Sequence, residues 1–138
     1  MKKVWINGSF DILHIGHIRL INFAKSYGTI RVGLDSDERI REKKGISRPL
    51  NGLHDRMEFI SNINGVDSVV SFNSDIELSE LIMDYNPDYF IIGDDYLDKP
   101  IIGSEYAKEV VYFNRINGYS TTNLIYKCKN DVTRTTNY

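Results

Sequence analysis

The chain has 138 residues, a net charge of −2, 41% hydrophobic and 26% charged residues, and a pI of about 5.9, so it is long enough for one well-packed domain and short for two. That acidic balance argues against a broad nucleic-acid surface, which would be basic, and leaves any anion to be held by a local cluster. The lone Cys128 allows neither an internal disulfide nor a cysteine-based zinc site, no apolar run nears the ~20 residues that span a bilayer, and the start is too poor in apolar residues for a signal peptide, so a cytoplasmic protein is expected.

Strand-like and helix-like segments alternate along the chain. Residues 4–6, Val-Trp-Ile, read as a short first strand ending in Asn7-Gly8. Ile18, Leu20, Ile21, Phe23 and Ala24 are spaced for a helix over residues 17–27, stopped by Gly28. Residues 29–34 are apolar and β-branched, a second strand, and Asp35-Ser36-Asp37 can cap a short helix after it. The stretch 41–50 is basic, contains Gly45 and Pro49, and predicts an exposed loop. A helix over 53–63, a strand over 66–72 and a helix over 76–85 follow, the last with Leu78, Leu81, Ile82 and Tyr85 on one face. Strands are expected at 89–92 and 109–113, then a helix at 121–128 with Ser120 as N-cap. The final residues, 130–138, are polar and Thr-rich and are expected to fray. The domain is therefore expected to occupy residues 1–128, with a polar tail over 129–138.

This alternation predicts an α/β fold: a Rossmann-like single domain, with a parallel sheet of about five strands and helices on both faces. Ligands of such sheets bind beyond the carboxyl ends of the strands, at the switch point. The unusual residues fall at those ends: Asn7-Gly8, Asp35, Gly93-Asp94-Asp95 and Arg115.

The most informative segment is residues 7–17, Asn-Gly-Ser-Phe-Asp-Ile-Leu-His-Ile-Gly-His. It lies where a strand hands over to a helix, and a helix start presents unpaired N–H groups and a positive dipole end to phosphate. Two imidazoles on one turn beside that end, His14 and His17, can grip or protonate phosphate oxygens, and Gly16 between them lets a phosphate approach the backbone. Three further segments could converge on the same nucleotide. They are the basic stretch with Lys43, Lys44 and Arg48, helped by Arg56; Gly93-Asp94-Asp95-Tyr96; and residues 115–122, with Arg115 and the run Ser120-Thr121-Thr122. Such a set suits phosphoryl or nucleotidyl transfer, where positioning and charge neutralisation supply most of the rate. Singly, each has a plainer reading: the lysines as a solvated charge run, Arg56 as a helix-face residue, the hydroxyls as a cap, Asp94 and Asp95 as turn residues, and Asp11 as an organiser of its turn.

The segment Ser9-Phe10-Asp11 followed by His14-Ile15-Gly16-His17 resembles the signature of the cytidylyltransferase-like nucleotidyltransferase superfamily, and the likeness runs over residues 3 to about 126. Gly45-Ile46-Ser47-Arg48-Pro49, Val69-Val70-Ser71-Phe72 and Ile102-Gly103-Ser104 are similar to members that adenylylate heptose 1-phosphate. Gly93-Asp94-Asp95 and the Arg-x-x-Gly-x-Ser-Thr-Thr around Arg115 are similar to glycerol-3-phosphate cytidylyltransferases. The resemblance implies condensation of CTP or ATP, carried with Mg²⁺, with a phosphorylated sugar or polyol, releasing pyrophosphate. It implies His14, His17 and Lys44 as catalytic residues, and Gly8, Ser9, Phe10, Asp11, Gly16, Asp94, Arg115, Ser120, Thr121 and Thr122 around the nucleotide. Lys43, Arg48 and Arg56 fall to the acceptor or phosphates, and no residue to a protein-held metal. The expected partners are an NTP and a small phosphorylated acceptor, without nucleic acid or membrane, in a homodimer. A non-catalytic nucleotide-binding module of the same fold is the alternative.

Overall fold

The computed structural model describes the backbone of residues 1–114 and 121–135 and the side chains of 1–114 and 122–129. Five strands, β1 (Lys3–Gly8), β2 (Thr29–Asp35), β3 (Val66–Phe72), β4 (Tyr89–Gly93) and β5 (Glu109–Phe113), form one sheet in the order β3-β2-β1-β4-β5. All neighbours pair in parallel. The helices are α1 (Ile15–Lys25), α2 (Asp37–Lys44), α3 (Leu53–Ser61), α4 (Asp75–Tyr85) and α5 (Thr121–Thr135). The chain order reverses between β1 and β4, which puts the switch point beside Gly8 and Gly93.

Side chains of a strand alternate between faces, and this splits the core into two layers. Val4 and Ile6 of β1, with Val32 and Leu34 of β2, pack with Ile21 and Ala24 of α1 and Ile60 of α3. Trp5, between them, points the other way and packs with Phe72, Phe90 and the Leu78, Ile82 and Tyr85 stripe of α4. Gly33 is required by that second layer: a Cβ there would meet the Trp5 ring at 2.6 Å. The single-domain α/β fold expected from the alternation is thus the fold observed.

Three local expectations are revised. The basic stretch 41–50 is not all loop, because Ser36 caps α2 by accepting from the Arg39 N–H and the helix runs on to Lys44 before Gly45, at φ 100°, ends it. Nor is it all exposed, since Arg48 is buried. The helix α5 continues to Thr135, past the predicted end at Cys128; the cap expected at Ser120 lies outside the described residues. Among the described residues, no helix is long and apolar enough to cross a membrane.

Asp88, before β4, ties the sheet's lower edge together. Its carboxylate accepts from Lys108 Nζ at 2.9 Å and from the Lys3 N–H at 2.8 Å. Lys108, then the Lys3 amide, hold its pKa below the ordinary 3.8. A group depressed on folding stabilises above its unfolded pKa and loses that contribution as pH falls through the folded value. Asp88→Asn should therefore lower stability in the neutral region and converge with wild type in acid, which flattens the acid limb of a urea-stability profile below about pH 4. A limb as steep as wild type would assign acid sensitivity to other carboxylates.

Candidate active site

The turn after β1 is built around α1's first residues. His14 is the N-cap, with extended backbone, and its Nδ1 accepts from the Gly16 N–H at 3.0 Å. His17 completes the box by accepting from the His14 N–H through its own Nδ1 at 3.1 Å. Both rings thus spend Nδ1 on the backbone, which fixes the neutral tautomer with its proton on Nε2. The rings stack, centroids 3.9 Å apart, and Phe10 supports His17 from 5.0 Å. Phe10 has φ 48°, a costly conformation for a bulky residue, and its ring is buried in the first core layer. The Gly16 N–H is spent on the cap rather than kept for a phosphate.

Beyond the strand ends lies a cavity of about 530 Å³, the size of a small-ligand site. Gly8, Ser9, Phe10, His14, Gly16, His17, Lys43, Lys44 and Thr122 all line it. Lys44 ends α2 and brings Nζ to 3.4 Å from Ser9 Oγ, so the basic segment and the histidine turn meet at one opening. After β4, the wall is formed by Gly93, Asp95 and Tyr96 rather than by Asp94. Arg115 and Ser120 lie outside the described residues, as does the Thr121 side chain.

Two arginines and an aspartate lie elsewhere than on the wall. Arg56, expected at the acceptor or phosphates, is fully buried. Its Nε donates to Asn51 O, its Nη1 to Ser9 O and Asp35 O, and its Nη2 to Asp37 Oδ1. A guanidinium with these four acceptors already filled braces the ends of β1 and β2 instead of meeting a ligand. Arg48 is likewise buried, donating from Nε to Asp11 Oδ2 at 3.1 Å and reaching Thr122 Oγ1 at 3.5 Å. Asp11, expected near the nucleotide, is 1% exposed. Its carboxylate accepts from the Leu50 and Asn51 N–H groups as well as from Arg48, so it organises the turn, the plainer of its two readings.

Sequence reasoning missed Arg39. It lines the cavity from α2 and is 6% exposed. Nε donates to Asp35 Oδ1 and Nη2 to Asp75 Oδ1, both at 2.7 Å, and the guanidinium lies 5.2 Å from the Phe72 ring. Burial works to lower its pKa, but the bonds to Asp75 and Asp35 outweigh this and raise it. The available signal was local: with Ser36 as N-cap, Asp35 and Arg39 stand four apart.

Comparison with known proteins adds three findings. The family model described as cytidylyltransferase-like matches residues 5–137. The chain is 48% identical over 125 residues to the bifunctional protein HldE of Helicobacter hepaticus, covering 90% of this chain and 26% of that protein. It is 42% identical over 132 residues to the bifunctional protein HldE of Sulfurimonas denitrificans, covering 95% and 28%. The chain thus spans about a quarter of the length of these relatives. Among solved structures, a lipopolysaccharide core biosynthesis protein from Thermoplasma volcanium superposes with a TM-score of 0.67 at 22% identity, covering 85% of this chain and 99% of that one. At that identity the likeness concerns the fold alone.

Proposed function

The chain belongs to the cytidylyltransferase-like family of nucleotidyltransferases, and on that premise we propose that it joins an NTP to a phosphorylated sugar or polyol, releasing pyrophosphate. The observation that carries the reading is the convergence of His14, His17, Ser9, Lys43, Lys44 and Thr122 on one cavity at the strand ends. An oxygen of the acceptor phosphate attacks the α-phosphorus as the bond to the β-phosphate oxygen breaks, so no side chain becomes a covalent nucleophile. Both histidines donate Nε2–H to the oxygens of the pentacovalent phosphorus, where charge builds. Lys44 neutralises the anionic acceptor as it approaches, and Thr122 contributes a hydroxyl at the start of α5. The family resemblance assigns the β- and γ-phosphates to Arg115, Ser120 and Thr121.

Mg²⁺ enters this scheme with the triphosphate. In this reading the ion is held mainly by phosphate oxygens and water. For the acceptor we favour a heptose 1-phosphate-like sugar phosphate, with ATP as donor. The stretches around Gly45–Pro49 and Ile102–Ser104 support that choice, alongside the relatives named HldE. The protein is taken to work in the cytoplasm as a dimer.

The test is a matrix of four NTPs against heptose 1-phosphate, glycerol 3-phosphate and other sugar phosphates, read by pyrophosphate release. ATP with heptose 1-phosphate should give the highest kcat/KM. Triphosphate binding with no pyrophosphate from any pair would favour a binding module instead. Lys44→Ala should lower kcat at least about 10-fold while changing NTP affinity less than about 3-fold, because its partner is the acceptor phosphate as it attacks the α-phosphorus. Equal losses in both would place Lys44 on the bound triphosphate in the ground state.

A further inference from the structure

The cavity has two chemically different ends. The histidines belong to one face of the sheet, since His17 packs on Phe10 of the first core layer. Asp35 belongs to the other. Gly33 faces Trp5, and Asp35, two residues further along the same strand, shares its side. Arg39 follows it there, lying over Phe72, a member of the Trp5 layer. Asp35 and Arg39 therefore close the cavity opposite the histidines, among the apolar side chains of Phe72, Leu78 and Ile101.

This end is built wrongly for phosphate. Arg39 already carries two carboxylates, Asp35 and Asp75, at 2.7 Å each, so the trio is net anionic and would repel a phosphate. It is built well for neutral hydroxyls. Among the described residues, Asp35 Oδ2 and Arg39 Nη1 make no hydrogen bond, whereas Oδ1, Nε and Nη2 are occupied. One acceptor and one donor side by side match two neighbouring hydroxyls of a polyol or sugar, and the apolar side chains can take its C–H faces. The guanidinium–carboxylate bond fixes both groups in advance, which reduces the ordering cost of binding.

Resting on the nucleotidyl-transfer reading, we infer that Asp35 and Arg39 form the acceptor-specificity pair, reading vicinal hydroxyls of the acceptor while the histidine and lysine end holds its phosphate. The pair thus selects a polyhydroxylated phosphate over a simple alkyl phosphate.

Calorimetry tests this without turnover, using heptose 1-phosphate, mannose 1-phosphate, glycerol 3-phosphate and ethyl phosphate as probes. Wild type should prefer at least one hydroxylated phosphate over ethyl phosphate. Asp35→Ala should weaken that ligand about 10-fold or more, with ethyl phosphate and NTP affinity changed less than about 2-fold. Asp35→Asn is nearly isosteric and keeps the contact to Arg39, so it should fold if the alanine variant does not, and should show a smaller loss of the same selectivity. Equal losses for ethyl phosphate would overturn the inference by making the pair a phosphate or structural element. A loss confined to NTP, and absent with 2′-deoxy-NTP, would overturn it by placing the pair on the ribose. No wild-type preference among the four probes would also overturn it. An Asp35-dependent preference without pyrophosphate release would uphold the pair and reject the transferase reading; pyrophosphate release with no Asp35 dependence would do the reverse.

Discussion

His17→Gln and His14→Asn should each lower kcat by about 10² to 10³ while leaving the protein folded, since the loss of one positioned donor to a transition-state oxygen has that size. The substitutions are chosen from the geometry of the cap. An alanine at residue 14 would remove both the N-cap acceptor and Nε2, and the lost cap alone costs about 1 kcal/mol. Asparagine keeps an acceptor for the Gly16 N–H, which His14 Nδ1 now holds. Glutamine at residue 17 keeps the reciprocal bond to the His14 N–H, as in a capping box. Each variant therefore removes Nε2 and little else. Steady-state kinetics and thermal melting together decide the matter: a melting temperature close to wild type with a collapsed kcat is the expected pair of results. Near-normal kcat on the best substrate pair would reduce the two histidines to a helix cap, a role their Nδ1 atoms already fill.

The sequence made most of the scaffold legible because its signals are local. Short runs rich in valine and aromatic residues placed β3 and β5 to the residue, and the Ile18-to-Ala24 spacing located α1 within two residues at either end. The parallel sheet followed from the order of elements, and the histidine turn from one continuous segment. What stayed hidden is long-range. Arg56 meets Ser9 and Asp35 across 47 and 21 residues, and Arg48 meets Asp11 across 37. No periodicity records such partners, and charged residues are rarely buried, so each arginine reads as a phosphate ligand or a surface residue until the fold closes around it. Arg39 escaped for a related reason. The basic stretch after it suggested loop, whereas the Ser36 cap and α2's own continuity set it on the cavity wall.

Arg56 gives the sharpest test of framework against ligand. Its guanidinium bridges the backbone carbonyls of Ser9, Asp35 and Asn51 and the Asp37 carboxylate, at 2.7–3.0 Å, tying the turn after β1 and the end of β2 to the start of α2 and the segment before α3. Arg56→Met keeps much of the volume and removes every donor, leaving buried carbonyls without their partner. Removing one member of a buried charged network costs about 3–5 kcal/mol, and each stranded acceptor adds to the penalty. For a domain of this size the melting temperature should fall by roughly 10–15 °C. Arg56→Lys should recover only part of this, because one ammonium cannot span four acceptors set in a fork. The surviving folded fraction should bind NTP and acceptor with affinities close to wild type, since Arg56 does not reach the cavity. The opposite pattern, an unchanged melting temperature with a raised KM for one substrate, would return Arg56 to the phosphate-binding role its sequence position first suggested. Measuring both at a temperature below the variant's transition separates the two, because a brace and a ligand contact fail in different observables.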